Sequence, residues 1–410
     1  MPTLTNIPKR RGRLAEKVWE PRLEALGGRS ARRGFTYEAY VPAFIAAERF
    51  RLESDIAAAA ANAEAACREL NVDPPGSADL ENLARQLLRA ESVASSRIEG
   101  LVLSHRRLAK AAFASGAHDL TAQGVLNNIR ALERALAVTG EDEPLRKRDI
   151  LEIHRVLFER TGDESRGGEL RQGQNWIGGD AATPRSAEFI PPPSELVPEL
   201  LDDLCAFCNR VDLPAAIQAA IAHVQFETIH PFFDGNGRVG RALILLVLRR
   251  RGGGTRFLPP ISLALAGEAD RYVAALTSWR IGNEDDWYTV FIDALFRAAE
   301  RSRAFGEKVA ELQRDWRKAA GSPRAGSGAS SLIELLPSHP VLNVKTAAEL
   351  LGGSGERARL ALLRLETAGV LHQTTVGRRN RAWESVGLFD LLDEFERDLG
   401  DPERTPHPTL

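Results

Sequence analysis

Apolar residues fall along this chain in helical runs punctuated by glycine and proline. Asp55 to Cys67 is rich in alanine, the strongest helix former, and a helical region is expected from Pro42 to Glu69, ended by Pro74-Pro75-Gly76. A second helix is expected from Ser77 to Glu99, stopping at Gly100, a residue suited to the position after a helix end. Further helices are read at Leu120–Val138, at Lys147–Arg160 (ended by Thr161-Gly162), and at Glu195–Asn209. Two apolar runs follow, Leu213–Ile229 and Val239–Leu248, the latter ended by Gly252–Gly254, and then helices at Gly267–Trp279 and Asp285–Leu312. Short β-prone pieces around a Gly-Gly-Asp turn, between Gln174 and Pro193, predict a hairpin whose proline-rich exit marks a sheet edge.

Residues 1 to about 35 are polar, basic and glycine-bearing and read as a loosely packed arm. Lys318 to Ser331 is rich in Gly, Ser and Ala and reads as a flexible linker. The expected organisation is an N-terminal arm and helical region (1–76), a core (77–315), a linker (316–331), a small domain (332–390) and an acidic, proline-rich tail (391–410), disordered from Gly400 onward.

Composition narrows the class. A chain of 410 residues with 43% hydrophobic and 27% charged residues is an ordinary globular protein of two or three domains. A net charge of −2 argues against a whole-protein nucleic-acid or membrane field. No apolar run is long enough to span a bilayer, and the basic residues Lys9, Arg10, Arg11 and Arg13 are not followed by a signal-type apolar region. Three cysteines make no disulfide framework and suit a reducing cytoplasm, so a cytoplasmic location is expected. Cys205 and Cys208 lack a second pair to complete a zinc site and read as small apolar residues on a helix.

Candidate chemistry concentrates in one stretch, His230-Pro-Phe-Phe-Asp-Gly-Asn-Gly-Arg-Val-Gly-Arg241, a tight loop between two buried helices. His230 can take a proton from a hydroxyl near neutral pH. Asp234 is an oxygen donor suited to Mg²⁺. Gly235-Asn236-Gly237 can turn backbone N–H groups inward as an anion nest at a helix start. Arg238 and Arg241, three apart, share a helix face. A base, a metal ligand, an anion nest and two guanidiniums describe a phosphoryl- or nucleotidyl-transfer site.

These residues resemble the signature of the Fic (filamentation induced by cAMP) family, H-x-F/P-x-D/E-G-N-G-R-x-x-R, with every specified position met. The resemblance covers about residues 80–300 well. It implies an all-α, Fic-type helical core with a small β-hairpin flap. It implies transfer of AMP from ATP, with Mg²⁺, to a Ser, Thr or Tyr hydroxyl of a protein target held along the 174–193 flap. In that reading His230 deprotonates the hydroxyl and Asp234 holds Mg²⁺. Gly235, Asn236 and Gly237 cradle phosphates, Arg238 holds the departing charge, and Arg241 holds the γ-phosphate. Tyr272 falls where the family builds its nucleobase pocket. Transfer of phosphocholine, UMP or phosphate by the same loop stays open, as does homodimer formation.

Ser95-Ser-Arg-Ile-Glu99-Gly100 looks like the family's inhibitory motif, S/T-x-x-x-E-G/N. An acid in a last helical turn is disfavoured by the helix dipole. The resemblance implies that Glu99 pairs with Arg241 and brakes transfer, or positions a water that removes AMP. The order of elements after 331 resembles a winged helix-turn-helix. Arg357, Arg359, Arg364 and a basic tip at Gly377-Arg-Arg-Asn380 are candidates for contacting DNA phosphates. The alternative function on this basis is a nucleotide-sensing, DNA-binding regulator.

Overall fold

The computed structural model describes residues 11–20, 34–72, 80–111, 119–138, 143–180, 182–252, 257–376 and 380–401. The Pro74–Gly76 turn, Gly253 and Gly254, the 377–379 tip and the end beyond 401 lie outside the described residues. In chain order the elements begin with β1 (Gly12–Trp19), β2 (Phe35–Pro42), α1 (Ser54–Val72), α2 (Leu80–Ile98), α3 (His105–Ala111) and α4 (Leu120–Val138). Next come α5 (Lys147–Leu157), α6 (Val197–Cys208), α7 (Ala215–Ile229), α8 (Asn236–Arg250), α9 (Ile261–Gly267), α10 (Ala269–Arg280) and α11 (Glu284–Ala319). The chain closes with α12 (Gly328–Leu335), β3 (Val341–Leu342), α13 (Val344–Leu350), α14 (Gly355–Thr367), β4 (Leu371–Val376), β5 (Asn380–Ser385) and α15 (Leu388–Gly400). No helix among the described residues is long and apolar enough to cross a membrane.

The chain forms two compact units. The first takes residues up to 60, 134–251 and 270–292, and α7 is its centre. Every residue from Ala215 to Ile229 is buried, as expected of a helix with no polar face. Gln225 donates to Ala43 O at 2.9 Å and the Thr228 hydroxyl to Val224 O at 2.7 Å. Gln218 donates to the carbonyls of Phe207 and Arg210 and accepts from Arg251. α8 packs closely on α7 because Gly240 has no side chain: a Cβ there would lie 2.4 Å from Glu227 Oε1 and 3.0 Å from Phe226 Cδ1.

The expected N-terminal arm is a correction. β1 and β2 pair antiparallel from Gly12↔Pro42 to Trp19↔Phe35. Alternation in Phe35-Thr-Tyr-Glu-Ala carries the signal, and Trp19 stacks on Phe35 at 6.2 Å. The expected 174–193 hairpin is reduced to a single bridge, Ile177↔Phe189. Gly178 and Gly179, both at φ 74°, turn the chain there, and β2 docks beside it through Tyr40 N–H to Ile190 O, 2.9 Å.

The second unit takes residues 61–133, 252–269 and 293 onward. α2 packs on α9, where Glu91 accepts from the Ser262 N–H at 2.9 Å and from its hydroxyl. Asn128 on α4 donates to Ser92 O, 3.0 Å, and Ser96 Oγ, 3.2 Å. After α11 the succession is helix, strand, helix, helix, strand, strand, with sheet order β3-β5-β4. Ser327, Asn343 and Ser354 cap the starts of its three helices. Leu332, Leu362, Leu365 and Trp383 are buried in its core.

Two further expectations are corrected here. The 316–331 stretch is helical at both ends, since α11 runs to Ala319 and α12 begins at Gly328. Residues 388–400 are the helix α15, not a tail. Leu388, Leu392, Phe395 and Leu399 form its buried stripe, and Phe395 stacks on Phe305 at 4.7 Å. The acids that gave the tail its look are the other face of an amphipathic helix.

The α7–α8 contact yields a test. Gly240→Ala is expected to destabilise the chain by about 1–3 kcal/mol, the usual range for overpacking. Urea unfolding reads this as a lower midpoint at unchanged slope, and an unchanged midpoint would show that the helices can part.

Candidate functional site

α7 ends at His230, whose backbone is left-handed (φ 50°, ψ 61°), while its N–H still reaches Phe226 O at 2.9 Å. That conformation costs a non-glycine residue about 1–2 kcal/mol, so its surroundings must impose it. Arg171 does much of this. Its Nε donates to His230 O at 2.9 Å, one terminal nitrogen to Gly173 O at 3.1 Å, and the other to Ile229 O at 3.4 Å and to Pro192 O. Its backbone N–H meets Pro231 O at 3.0 Å. Burial lowers its pKa to about 10, which leaves it a cation at neutral pH. Asn175 adds a bond from Nδ2 to Phe232 O, 2.9 Å.

The far side of the loop is closed by Asn236 and His154. Asn236 accepts from Phe232 N–H at 2.9 Å and donates to Phe232 O at 2.7 Å. The side chain of Asn236 thus locks the turn. The His154 ring lies 3.6 Å from that of Phe232, at 2°. Its Nδ1 accepts from Gly168 N–H at 2.9 Å, so the neutral ring carries its proton on Nε2 and donates it to Asp234 O at 3.0 Å. Gly235, at φ 80°, then starts α8. The first N–H groups of α8 have no intrahelical carbonyl to meet, the usual basis of an anion site.

His230 Nδ1 lies 3.9 Å from Glu227 Oε2, and 17% of the side chain is exposed. Burial first, then the guanidiniums of Arg171 and Arg280, hold its pKa at about 3, so the ring is a neutral base at physiological pH. Asp234 is 62% exposed and faces Arg238 at 3.4 Å. Arg238 and Arg241 are both buried. No group of three or more His, Cys, Asp or Glu side chains placed to hold a metal occurs among the described residues. A single exposed carboxylate beside an anion site fits Mg²⁺, which takes one or two carboxylates and draws its other ligands from phosphate and water.

Residues 144–248 match the model of the Fic/DOC family, and residues 57–137 match that of the Fic/DOC family N-terminal region. The chain belongs to the Fic/DOC family. It is 33% identical over 129 residues to protein adenylyltransferase fic-1 of Caenorhabditis elegans, covering 31% of this chain and 22% of that protein. It is 29% identical over 206 residues to protein adenylyltransferase Fic of Drosophila grimshawi, covering 46% of this chain and 40% of the relative. The chain thus spans well under half the length of either. A crystal structure of a Fic family protein from Desulfovibrio desulfuricans G20 shares the fold, with TM-score 0.50 and 20% identity over 82% of this chain and 98% of that one.

Within the Fic domain His230, Asp234, Gly235, Gly237, Arg238 and Arg241 all lie on the one loop and the first turns of α8. Tyr272 is buried, its hydroxyl is 2.8 Å from His223 Nε2, and it packs in the aromatic layer against Trp287. Ser95 and Glu99 lie in the other compact unit. Ser95 is buried near the end of α2, and Glu99 is exposed just past it, before Gly100 at φ 81°. Cys205 and Cys208 are buried, with thiol pKa values pushed upward by burial (Cys205 to about 12), in keeping with inert packing residues. Motif reading missed His154, Arg171 and Asn175, which come from α5, the residues just before the flap and the flap itself, and Arg280 from α10.

Three buried rings make the fold acid-sensitive. Burial lowers His154 to about 4 and His223 to about 3, alongside His230. Each folded pKa lies below the unfolded value of about 6.5, so between these values the unfolded chain binds protons that the folded chain does not. Stability is therefore intact above about 6.5 and falls with pH, by up to ~1.4 kcal/mol per pH unit for each ring. Melting temperature is expected to drop steadily from pH 7.5 to pH 5. A flat profile would mean that these rings are charged in the fold.

Proposed function

We propose that the chain is a protein adenylyltransferase, moving AMP from ATP to a Ser, Thr or Tyr hydroxyl of a protein target. The observation that carries this is the neutral His230 ring fixed at the end of α7, one short loop from a helix start that bears two buried arginines. The names of the relatives support the same chemistry. His230 takes the hydroxyl proton as the oxygen attacks the α-phosphorus. A new P–O bond forms, the bond to the β-phosphate oxygen breaks, and pyrophosphate leaves. The N–H groups at the start of α8 and Arg238 hold the charge that departs, and Arg241 holds the γ-phosphate. Asp234 would hold Mg²⁺, which would supply charge neutralisation when bound. Because nothing covalent is asked of the protein, its contribution is placement and fixed charge.

The target segment lies along the 174–193 flap, adding backbone hydrogen bonds to an edge. Glu99 acts as the brake: it stands directly after a helix end, where the dipole disfavours an acid, and within the match to the family's N-terminal region. Removal of AMP by the same site is the second activity it could support. The terminal domain is read as a winged helix from its element order. Its basic helix gives little support to DNA reading, since Arg357 bonds to Gly326 O, Arg359 pairs with Glu356, and Arg364 bonds to Ala320 O.

His230→Ala is expected to lose AMP transfer by ~10²–10⁴-fold while still binding ATP, as read by labelled-ATP incorporation and equilibrium binding. Wild-type incorporation by this variant would end the assignment. Mass spectrometry of the modified target separates AMP from UMP, phosphocholine or phosphate.

Glu99→Gly should incorporate more AMP than wild type, and Arg241→Ala should be inactive alone or combined with it. Equal or lower incorporation by Glu99→Gly would make Glu99 an ordinary helix-end residue.

A further inference from the structure

The segment 97–105 leaves α2, carries Glu99 and enters α3, all within the second compact unit. One carboxylate, Glu396 of α15 in the same unit, meets it at both ends. Arg97 donates to Glu396 Oε2 at 2.7 Å, and His105 Nε2 lies 2.7 Å from Glu396 Oε1. Between these points the turn closes on α2 itself. Gly100, at φ 81°, donates to Arg97 O and Leu101 donates to Ser96 O, both at 2.9 Å. Leu103 is buried in an apolar cluster with Val93, Leu108 and Val125.

Glu396 flanks the buried stripe of α15, next to Phe395, and only 11% of its side chain is exposed. A carboxylate so placed is costly unless donors or cations meet it. Burial by itself would raise its pKa, yet His105 and then Arg97 outweigh burial and hold it below the usual carboxylate range. α15 is itself anchored, by its apolar stripe and by Phe395 stacked on Phe305. The clasp therefore ties the Glu99 segment to a fixed helix.

We infer that Glu396 is a positioning residue for the Glu99 brake, holding the turn that carries it through Arg97 and His105. The inference rests on the reading of Glu99 under Proposed function. An acid on a loop brakes only while the loop keeps it in place, and ordering that backbone costs conformational entropy. A clasp at both ends lifts most of that cost from the braked state. A plain structural contact would add stability and leave transfer as it is. A positioning contact instead links α15 to the rate, so that loosening α15 loosens the brake.

The test uses the full chain and measures incorporation from ATP labelled on the α-phosphate, into the chain itself and into added lysate protein, beside amide hydrogen exchange. Arg97→Ala and Glu396→Ala are each expected to raise incorporation at least about threefold, within what the loss of one charge-assisted hydrogen bond allows. Exchange of the Gly100 and Leu101 amides should quicken in both variants. In a Glu99→Gly background neither change should raise incorporation further, because the brake is already gone. Arg97 is the more exposed partner, so if Glu396→Ala fails to fold, Arg97→Ala alone decides. A rise in Glu99→Gly without one in Arg97→Ala, unchanged exchange of the turn, or equal rises with and without Glu99 would each overturn the inference and leave the brake standing. No rise in Glu99→Gly removes the brake and this inference with it.

Discussion

Arg171 gathers carbonyls from three separate pieces of chain: the end of α7, the start of the flap at Gly173, and its exit at Pro192. A helix terminus buried without partners would be unstable, since its last carbonyls have no intrahelical donor. A guanidinium has donors enough to serve several at once, in a rigid plane. It thereby holds His230 in a backbone state that the residue would not choose and ties the flap to the same point. Removing that one side chain would strand carbonyls on both elements together, so the loop and the flap are a single structural object.

The loop itself is two-sided. On one side it is fixed by Arg171 and Asn175, on the other by His154 stacked on Phe232 and by the Asn236 clamp. Between these fixed points the groups with chemistry keep their freedom: the Asp234 carboxylate is exposed, and α8 begins immediately after. Rigid backbone with presented side chains is what a site relying on preorganised charge requires.

The candidate site's loop was legible in the sequence because it is contiguous. From His230 to Arg241 the residues succeed one another, and each has a separate physical use. The support was not legible. His154 lies on α5 and Arg171 just before the flap, and nothing in their local pattern says that they meet Asp234 O or His230 O. For Asn236, an amide beside glycines suits either an anion or a turn, and only the fold shows it bonded to Phe232. For Tyr272, an aromatic on a helix tells nothing about which neighbour its hydroxyl meets, here His223. The helices were read well wherever apolar periodicity was long. The β1–β2 pair was missed because short strands in basic, glycine-bearing sequence look like loop, and α15 because acids on one face hid the apolar stripe on the other.

α7 is buried along its whole length, and that has a consequence for hydrogen exchange. A helix with no solvent-facing side has no way to fray locally except at its ends, and its end is held by Arg171. Its amide protons should leave only when the first unit opens as a whole, placing them in the slowest-exchanging class of that unit. The His230 ring is therefore mounted on the part of the unit that moves least, while the neighbouring Phe233 is more than half exposed.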